Sequence, residues 1–93
     1  MKSALVTGAN KGVGYETARQ LLQKGLFVYL GSRKIENGLK AVEKLKAEGL
    51  DHLKAIQIDV TDQESINAAR IEIGKSTKVL DALINNAGIS GGG

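Results

Sequence analysis

Residues Thr7 to Gly14 read Thr-Gly-Ala-Asn-Lys-Gly-Val-Gly, directly after the apolar run Ala4-Leu5-Val6 and directly before a helical pattern. Where a strand ends and a helix begins, backbone N–H groups without intrahelical partners converge and can hold a phosphate. Gly8 suits a tight turn, Gly12 a close approach of backbone to a diphosphate, and Gly14 the packing of the helix against the strand beneath it. The spacing Gly-x-x-x-Gly-x-Gly differs from the common Gly-x-Gly-x-x-Gly fingerprint. A Walker A loop is excluded as well, since only three residues separate Gly8 from Gly12 and Val13 stands where that motif needs lysine. A glycine-rich strand-to-helix turn without a ligand would carry the same residues, so the surrounding elements must decide.

Those elements are four short apolar runs alternating with three helical patterns, the signature of successive βαβ units. A first strand is expected at Ser3 to Val6, followed by a helix bearing Gly14, Thr17, Ala18, Leu21 and Leu22 and stopped by Gly25. Leu26 to Leu30 is an unbroken apolar run, as a strand covered on both faces requires. From Lys34 to Glu48 the residues Ile35, Leu39, Val42 and Leu45 recur at helical steps up to Gly49, although Asn37-Gly38 is a turn signal that would delay the start. A third strand at Leu53 to Ile58 leads to Asp59-Val60. Thr61 and Glu64 then have the capping-box spacing for a helix carrying Ile66, Ala69 and Ile73. A fourth strand at Val79 to Ile84 runs into Asn85-Asn86-Ala87-Gly88. Right-handed crossovers between parallel strands give the order 3-2-1-4, with the glycine loop at the carboxyl edge of the first strand.

The chain has 93 residues, 42% hydrophobic and 25% charged, which suits one soluble α/β unit spanning 1–93. A complete doubly wound sheet needs two such halves, so this reads as the first. No cysteine is present, which removes disulfides and thiolate metal sites and fits a reducing, cytoplasmic setting. No apolar stretch approaches the ~20 residues of a membrane span, and nothing resembles a signal peptide. The net charge of +3 invites a nucleic-acid reading. Against it, Lys34, Lys40, Lys44 and Lys46 alternate with Glu36, Glu43 and Glu48 on a solvated helix face, and no aromatic residue sits in a basic cluster where bases could stack.

Three motifs in this order resemble the short-chain dehydrogenase/reductase family over the whole chain: the glycine loop, Asp59-Val60 after the third strand, and Asn85-Asn86-Ala87-Gly88 after the fourth. Each has a plainer reading alone, Asp59 as a loop carboxylate and the asparagines as turn residues. The resemblance implies a Rossmann-like parallel sheet with helices on both faces, a truncated doubly wound fold. It implies that Gly8, Asn10, Lys11, Gly12, Val13 and Gly14 line the diphosphate and that Asp59 accepts from the adenine amino group. Val60 would touch the ring, while Asn86, Ala87 and Gly88 run beside the ribose. A carbonyl or alcohol would be the substrate of the full-length form.

Cofactor choice follows from the end of the second strand, Gly31-Ser32-Arg33-Lys34. An enzyme for NAD usually places a carboxylate there to accept from the ribose 2′-hydroxyl, and none is present. Arg33 can instead hold a 2′-phosphate bidentately, with Ser32 as a hydroxyl donor and Lys11 reaching from the glycine loop, which predicts NADP(H). Arg33 and Lys34 as solvated residues at a helix start are the plainer reading, yet helix N-termini disfavour cations. The family's catalytic Tyr-x-x-x-Lys has no match here: the tyrosines give Tyr15-x-x-x-Arg19 and Tyr29-x-x-x-Arg33. No residue is therefore assigned proton transfer. Such a half would bind cofactor without turnover, and its unpaired fourth strand predicts instability or homo-oligomerisation. A non-catalytic nucleotide-binding or regulatory module is the alternative function.

Overall fold

In the computed structural model, residues 2–8, 12–77 and 80–85 are described, Asn85 by its backbone alone. Among them, strands β1 (Ser3–Thr7), β2 (Phe27–Ser32), β3 (Leu53–Gln57) and β4 (Ala82–Asn85) alternate with helices α1 (Gly12–Gln23), α2 (Ile35–Ala47) and α3 (Gln63–Gly74). The strands form one parallel sheet in the order β3-β2-β1-β4.

Side-chain alternation along the strands divides the core between the two faces. Val6, Val28 and Leu30 pack under α1 through Ala18 and Leu22 and under α2 through Ala41, Val42 and Leu45. On the opposite face Leu5, Tyr29, Ile56 and Ile58 pack against Ala69 and Ile73 of α3. Both faces of β1 and β2 are therefore covered, which is why Ala4-Leu5-Val6 and Phe27 to Leu30 within them are apolar without a polar beat. Leu30 and Leu45 are wholly buried, each worth about 1.5–3 kcal/mol of transfer free energy. Asp81 fixes the start of β4 to β1 twice: its N–H donates to the Ser3 carbonyl at 2.8 Å, and its Oδ2 accepts the Ser3 N–H at 2.8 Å. The hydroxyl of Tyr29, a buried residue of β2, meets Ser76 Oγ at 2.8 Å and also Thr77 Oγ1, tying β2 to the segment after α3.

The helix ends follow the sequence at α1 and α2. Both close in the same way, with Gly25 N–H on the Leu22 carbonyl and Leu26 N–H on Leu21, then Gly49 N–H on Lys46 and Leu50 N–H on Leu45. Three local expectations are corrected. The turn signal at Asn37-Gly38 does not delay α2, which begins at Ile35. Gly38 is instead buried inside it, where a Cβ would make ordinary packing contacts, 3.4 Å from Ser32 Cβ and 3.5 Å from Ala55 Cβ. The capping box does not form: Asp62 alone caps α3, accepting the Glu64 N–H at 3.0 Å on Oδ1, and Thr61 is engaged elsewhere. The fourth strand forms over Ala82–Asn85, later than Val79, which lies outside the described residues. No helix among the described residues is long and apolar enough to cross a membrane.

Candidate functional site

Parallel pairing brings the carboxyl ends of all four strands to one edge of the sheet. Thr7 pairs with Gly31 on one side and with Asn85 on the other, and Ser32 pairs with Gln57. The chain leaves β1 toward the α1 and α2 face on one side, while β4, reached through α3 on the opposite face, lies on the other. The β1 terminus is thus a topological switch point, where an open α/β sheet leaves a crevice.

At that point Gly8 takes φ 65° and Gly12, the first residue of α1, takes φ 46°. Both lie in the left-handed region, where a side chain costs backbone strain. No described atom lies within 4 Å of a Cβ built on Gly12, so the space beside it is open. Val13 stands 76% exposed at the mouth of the helix, and Gly14 is buried against the sheet. No acidic residue occupies the first turn of α1, whereas Glu36 and Glu64 stand in the first turns of α2 and α3. The partial positive charge of the α1 terminus is left uncompensated within its own first turn.

The second strand ends in a braced turn. Gly31 lies inside β2, and a Cβ there would meet Ile58 Cγ2 at 2.8 Å, so the close approach of Ile58 requires glycine. Ser32 is only 2% exposed, and its hydroxyl donates to the Lys34 carbonyl at 2.8 Å. Gln57 Nε2 donates to the Arg33 carbonyl at 3.2 Å, fixing the main chain beneath an exposed guanidinium. The Ile58 N–H donates to the Ser32 carbonyl at 2.9 Å and carries the β2–β3 pairing one residue past the strand.

That extension delivers Asp59, half-buried, to the same edge. Its N–H donates to Ser65 Oγ at 2.8 Å, and its Oδ1 accepts both from the Thr61 N–H at 2.9 Å and from Thr61 Oγ1 at 2.6 Å. The Thr61 hydroxyl, then the Thr61 N–H, hold the Asp59 carboxyl below the usual carboxylate range, with the Arg33 charge adding a smaller pull in the same direction. Val60 follows, half-buried in the turn.

The structure therefore brings together Gly8, Gly12, Val13, Gly14, Ser32, Arg33, Asp59 and Val60 at the carboxyl edge. Asn10, Lys11, Asn86, Ala87 and Gly88 lie outside the described residues. Three contributors were not anticipated from sequence: Gln57, Thr61 and Ser65. The Asp59-x-Thr61 spacing carries an Asx-turn signal that could have revealed the second, while Ser65 and Gln57 emit none. Among the described residues no group of His, Cys, Asp or Glu could hold a metal ion.

A model of the short chain dehydrogenase family matches residues 2–93. The chain is 48% identical over 91 residues to a (+)-neomenthol dehydrogenase of Capsicum annuum, covering 95% of this chain and 29% of that protein. It is 47% identical over 88 residues to carbonyl reductase [NADPH] 1 of Mus musculus, covering 94% of this chain and 31% of that one. Among solved structures, salutaridine reductase from Papaver somniferum superposes with a TM-score of 0.91 at 39% identity, over 98% of this chain and 31% of that one. The chain thus spans about three tenths of the length of these relatives. With the family model matched from Lys2 onward and the strand order and switch point in place, the chain belongs to the short-chain dehydrogenase family.

Proposed function

We propose that the chain holds NADP(H) for an oxidoreductase that passes hydride between the nicotinamide ring and the carbon of a ketone, aldehyde or alcohol. The observation that carries this reading is the end of β2. There an exposed guanidinium, on a main chain fixed by Gln57, stands at the sheet edge with no carboxylate in the Ser32-Arg33-Lys34 turn. A 2′-phosphate meets a planar, permanently charged donor at Arg33, whereas a bare 2′-hydroxyl would find no acceptor of the kind an NAD site provides. Lys11 adds a second positive charge from the glycine loop.

The remaining residues fit the same group. The first N–H groups of α1, which have no partner within the helix, would hold the diphosphate, and the positive φ and open space at Gly12 suit a group that presses on the main chain. Asp59, a carboxylate that only accepts, would take the adenine amino group, with Val60 against the ring. Asn86, Ala87 and Gly88 would run beside the ribose. Ser32 has its hydroxyl proton on the Lys34 carbonyl, so in this reading it braces the turn that presents Arg33. When bound, NADPH supplies the hydride; these residues orient it and neutralise its phosphates. The 93 residues contain no Tyr-x-x-x-Lys, so proton donation to the substrate is assigned to none of them. The carbonyl reductase whose name carries NADPH supports both the cofactor and the reaction class.

Separate titrations of the purified chain with NADPH and NADH, followed by nucleotide fluorescence or calorimetry, test the reading. NADPH is expected to bind more tightly, and Arg33→Asp to weaken NADPH by about tenfold or more while leaving NADH unweakened or strengthening it, since the new carboxylate can accept from a 2′-hydroxyl. Equal or tighter binding of NADH by the unaltered chain would remove the assignment.

A further inference from the structure

Among the described residues Asp59 is the carboxylate that follows a strand end at the carboxyl edge, and its two oxygens are not equivalent. Both bonds from Thr61 fall on Oδ1, the hydroxyl at 2.6 Å and the N–H at 2.9 Å. Among the described residues nothing donates to Oδ2. The main chain is held too, because the Asp59 N–H is on Ser65 Oγ at 2.8 Å, and Ser65 rides on the first turns of α3. A carboxylate free to rotate would offer either oxygen to whatever donor arrived. This one is fixed in torsion before any ligand comes, with one oxygen saturated by two short bonds and the other left over.

We propose that Thr61 is a positioning residue that turns Asp59 into a single-acceptor reader of the adenine amino group, and so makes the site discriminate adenine from hypoxanthine. This rests on the proposed NADP(H) reading and goes beyond it in naming how the base is distinguished. Adenine presents an exocyclic amine, a donor that one carboxylate oxygen can accept from. Hypoxanthine presents a carbonyl at that place and an N–H beside it. A carboxylate able to swivel would abandon the carbonyl and take the neighbouring N–H, recovering the lost bond. Held by Thr61, Asp59 has no such freedom, and an acceptor faces an acceptor. Discrimination by a fixed polar group arises from leaving such groups badly paired, and a hydrogen bond to a charged group corresponds to about a tenfold to hundredfold difference in affinity. Fixing the torsion beforehand also removes an ordering cost from binding.

The test compares NADPH with its reduced hypoxanthine analogue, in which the base amine is replaced by a carbonyl, on the unaltered chain, Thr61→Val and Thr61→Ser. The unaltered chain is expected to prefer NADPH by about tenfold. Thr61→Val keeps the shape and the backbone donor and removes the hydroxyl; its preference should fall to about threefold or less, chiefly by gaining affinity for the analogue, while Thr61→Ser keeps the original ratio. Thr61→Ala asks the same question should the valine variant lose its helix signal in far-UV circular dichroism. A ratio unmoved by both Thr61→Val and Thr61→Ala, or equal losses for the two nucleotides, overturns the proposal, since a purely structural threonine would act on both alike. Equal binding of both nucleotides by the unaltered chain overturns it while leaving the NADP(H) reading intact. Binding of neither overturns both.

Discussion

The turn after β1 and the turn after β3 leave the same edge of the sheet and are made of opposite materials. Among its described residues the first is marked by backbone: Gly8 at φ 65° and Gly12 at φ 46° opening α1, with no acidic side chain in the helix's first turn. The second is side chain: Asp59 locked by Thr61 and Ser65, then Asp62 capping α3 through the Glu64 N–H. A helix start that keeps its own N–H groups filled is a stable end. One left without a compensating carboxylate is an electropositive end suited to an anion from elsewhere. The contrast sets an α1 whose first turn carries no acidic side chain, and which the proposed reading fills with a diphosphate, against an α3 capped by its own Asp62, with the residues just before that cap holding the Asp59 carboxylate.

The largest effect expected from breaking this contrast comes from putting a side chain on the backbone-built turn. Gly12→Val forces a β-branched residue to φ 46°, at about 1–3 kcal/mol of backbone strain, although no described atom would clash with its Cβ. For a chain of this size that lowers the melting temperature by roughly 4–20 °C, read by thermal circular dichroism. The added methyls also fill the open space beside the helix start, so NADPH affinity should drop about a hundredfold, well beyond the effect on folding. Retained affinity in a folded Gly12→Val chain would mean that the phosphates do not approach there. The second turn should respond in the opposite sense. Ser65→Ala removes the acceptor of the Asp59 N–H and costs about 1 kcal/mol of stability, seen in urea unfolding. Its effect on NADPH should be several-fold smaller than that of Gly12→Val, because it loosens only the proposed base contact and leaves the proposed phosphate site untouched. A larger loss of binding from Ser65→Ala than from Gly12→Val would reverse the ranking of the two turns.

The same contrast decides what the amino-acid sequence reveals. A turn built from backbone announces itself, because positive φ and close approach select glycine, and glycines at fixed offsets after an apolar run are visible. The sheet was equally legible: Leu5-Val6 and Val28-Tyr29-Leu30 are apolar on both faces, as strands covered by helices on each side require, and right-handed crossovers between them give the order. A turn built from side chains is less visible, because Thr61 and Ser65 are ordinary loop and helix residues whose partners are fixed by how β3 ends. Thr61 was drawn into the wrong role for that reason. Its spacing to Glu64 fits a capping box, but Asp62 is the better acceptor for the helix, and the Thr61 hydroxyl finds a charged acceptor in Asp59 two residues back. Gly38 misled for a related reason: a turn signal in isolation, it is held in a helix by the packing of α2 over Ser32 and Ala55.

The smallest effect, and the one that separates the two contributions to Asp59, lies in acid. The Asp59 carboxyl is held below its ordinary range by the Thr61 hydroxyl, then by the Thr61 N–H, with Arg33 contributing less. A carboxyl whose folded pKa is depressed contributes stability above its unfolded value, about 3.9, and loses that contribution as pH falls through the lower folded value. Thr61→Val removes the largest cause, so the Asp59 titration followed by carboxyl-carbon NMR should move upward toward the ordinary range. Arg33→Asp should move it upward by less. Added salt divides the two further, since a charge across solvent is screened within about 8–10 Å at physiological ionic strength, whereas a hydrogen bond at 2.6 Å is not. The Asp59 midpoint of the unaltered chain should therefore be nearly insensitive to salt. A midpoint that climbs with salt, or that stays in place in Thr61→Val, would mean that Arg33 rather than Thr61 governs the carboxylate. The second turn would then be an electrostatic site like the first.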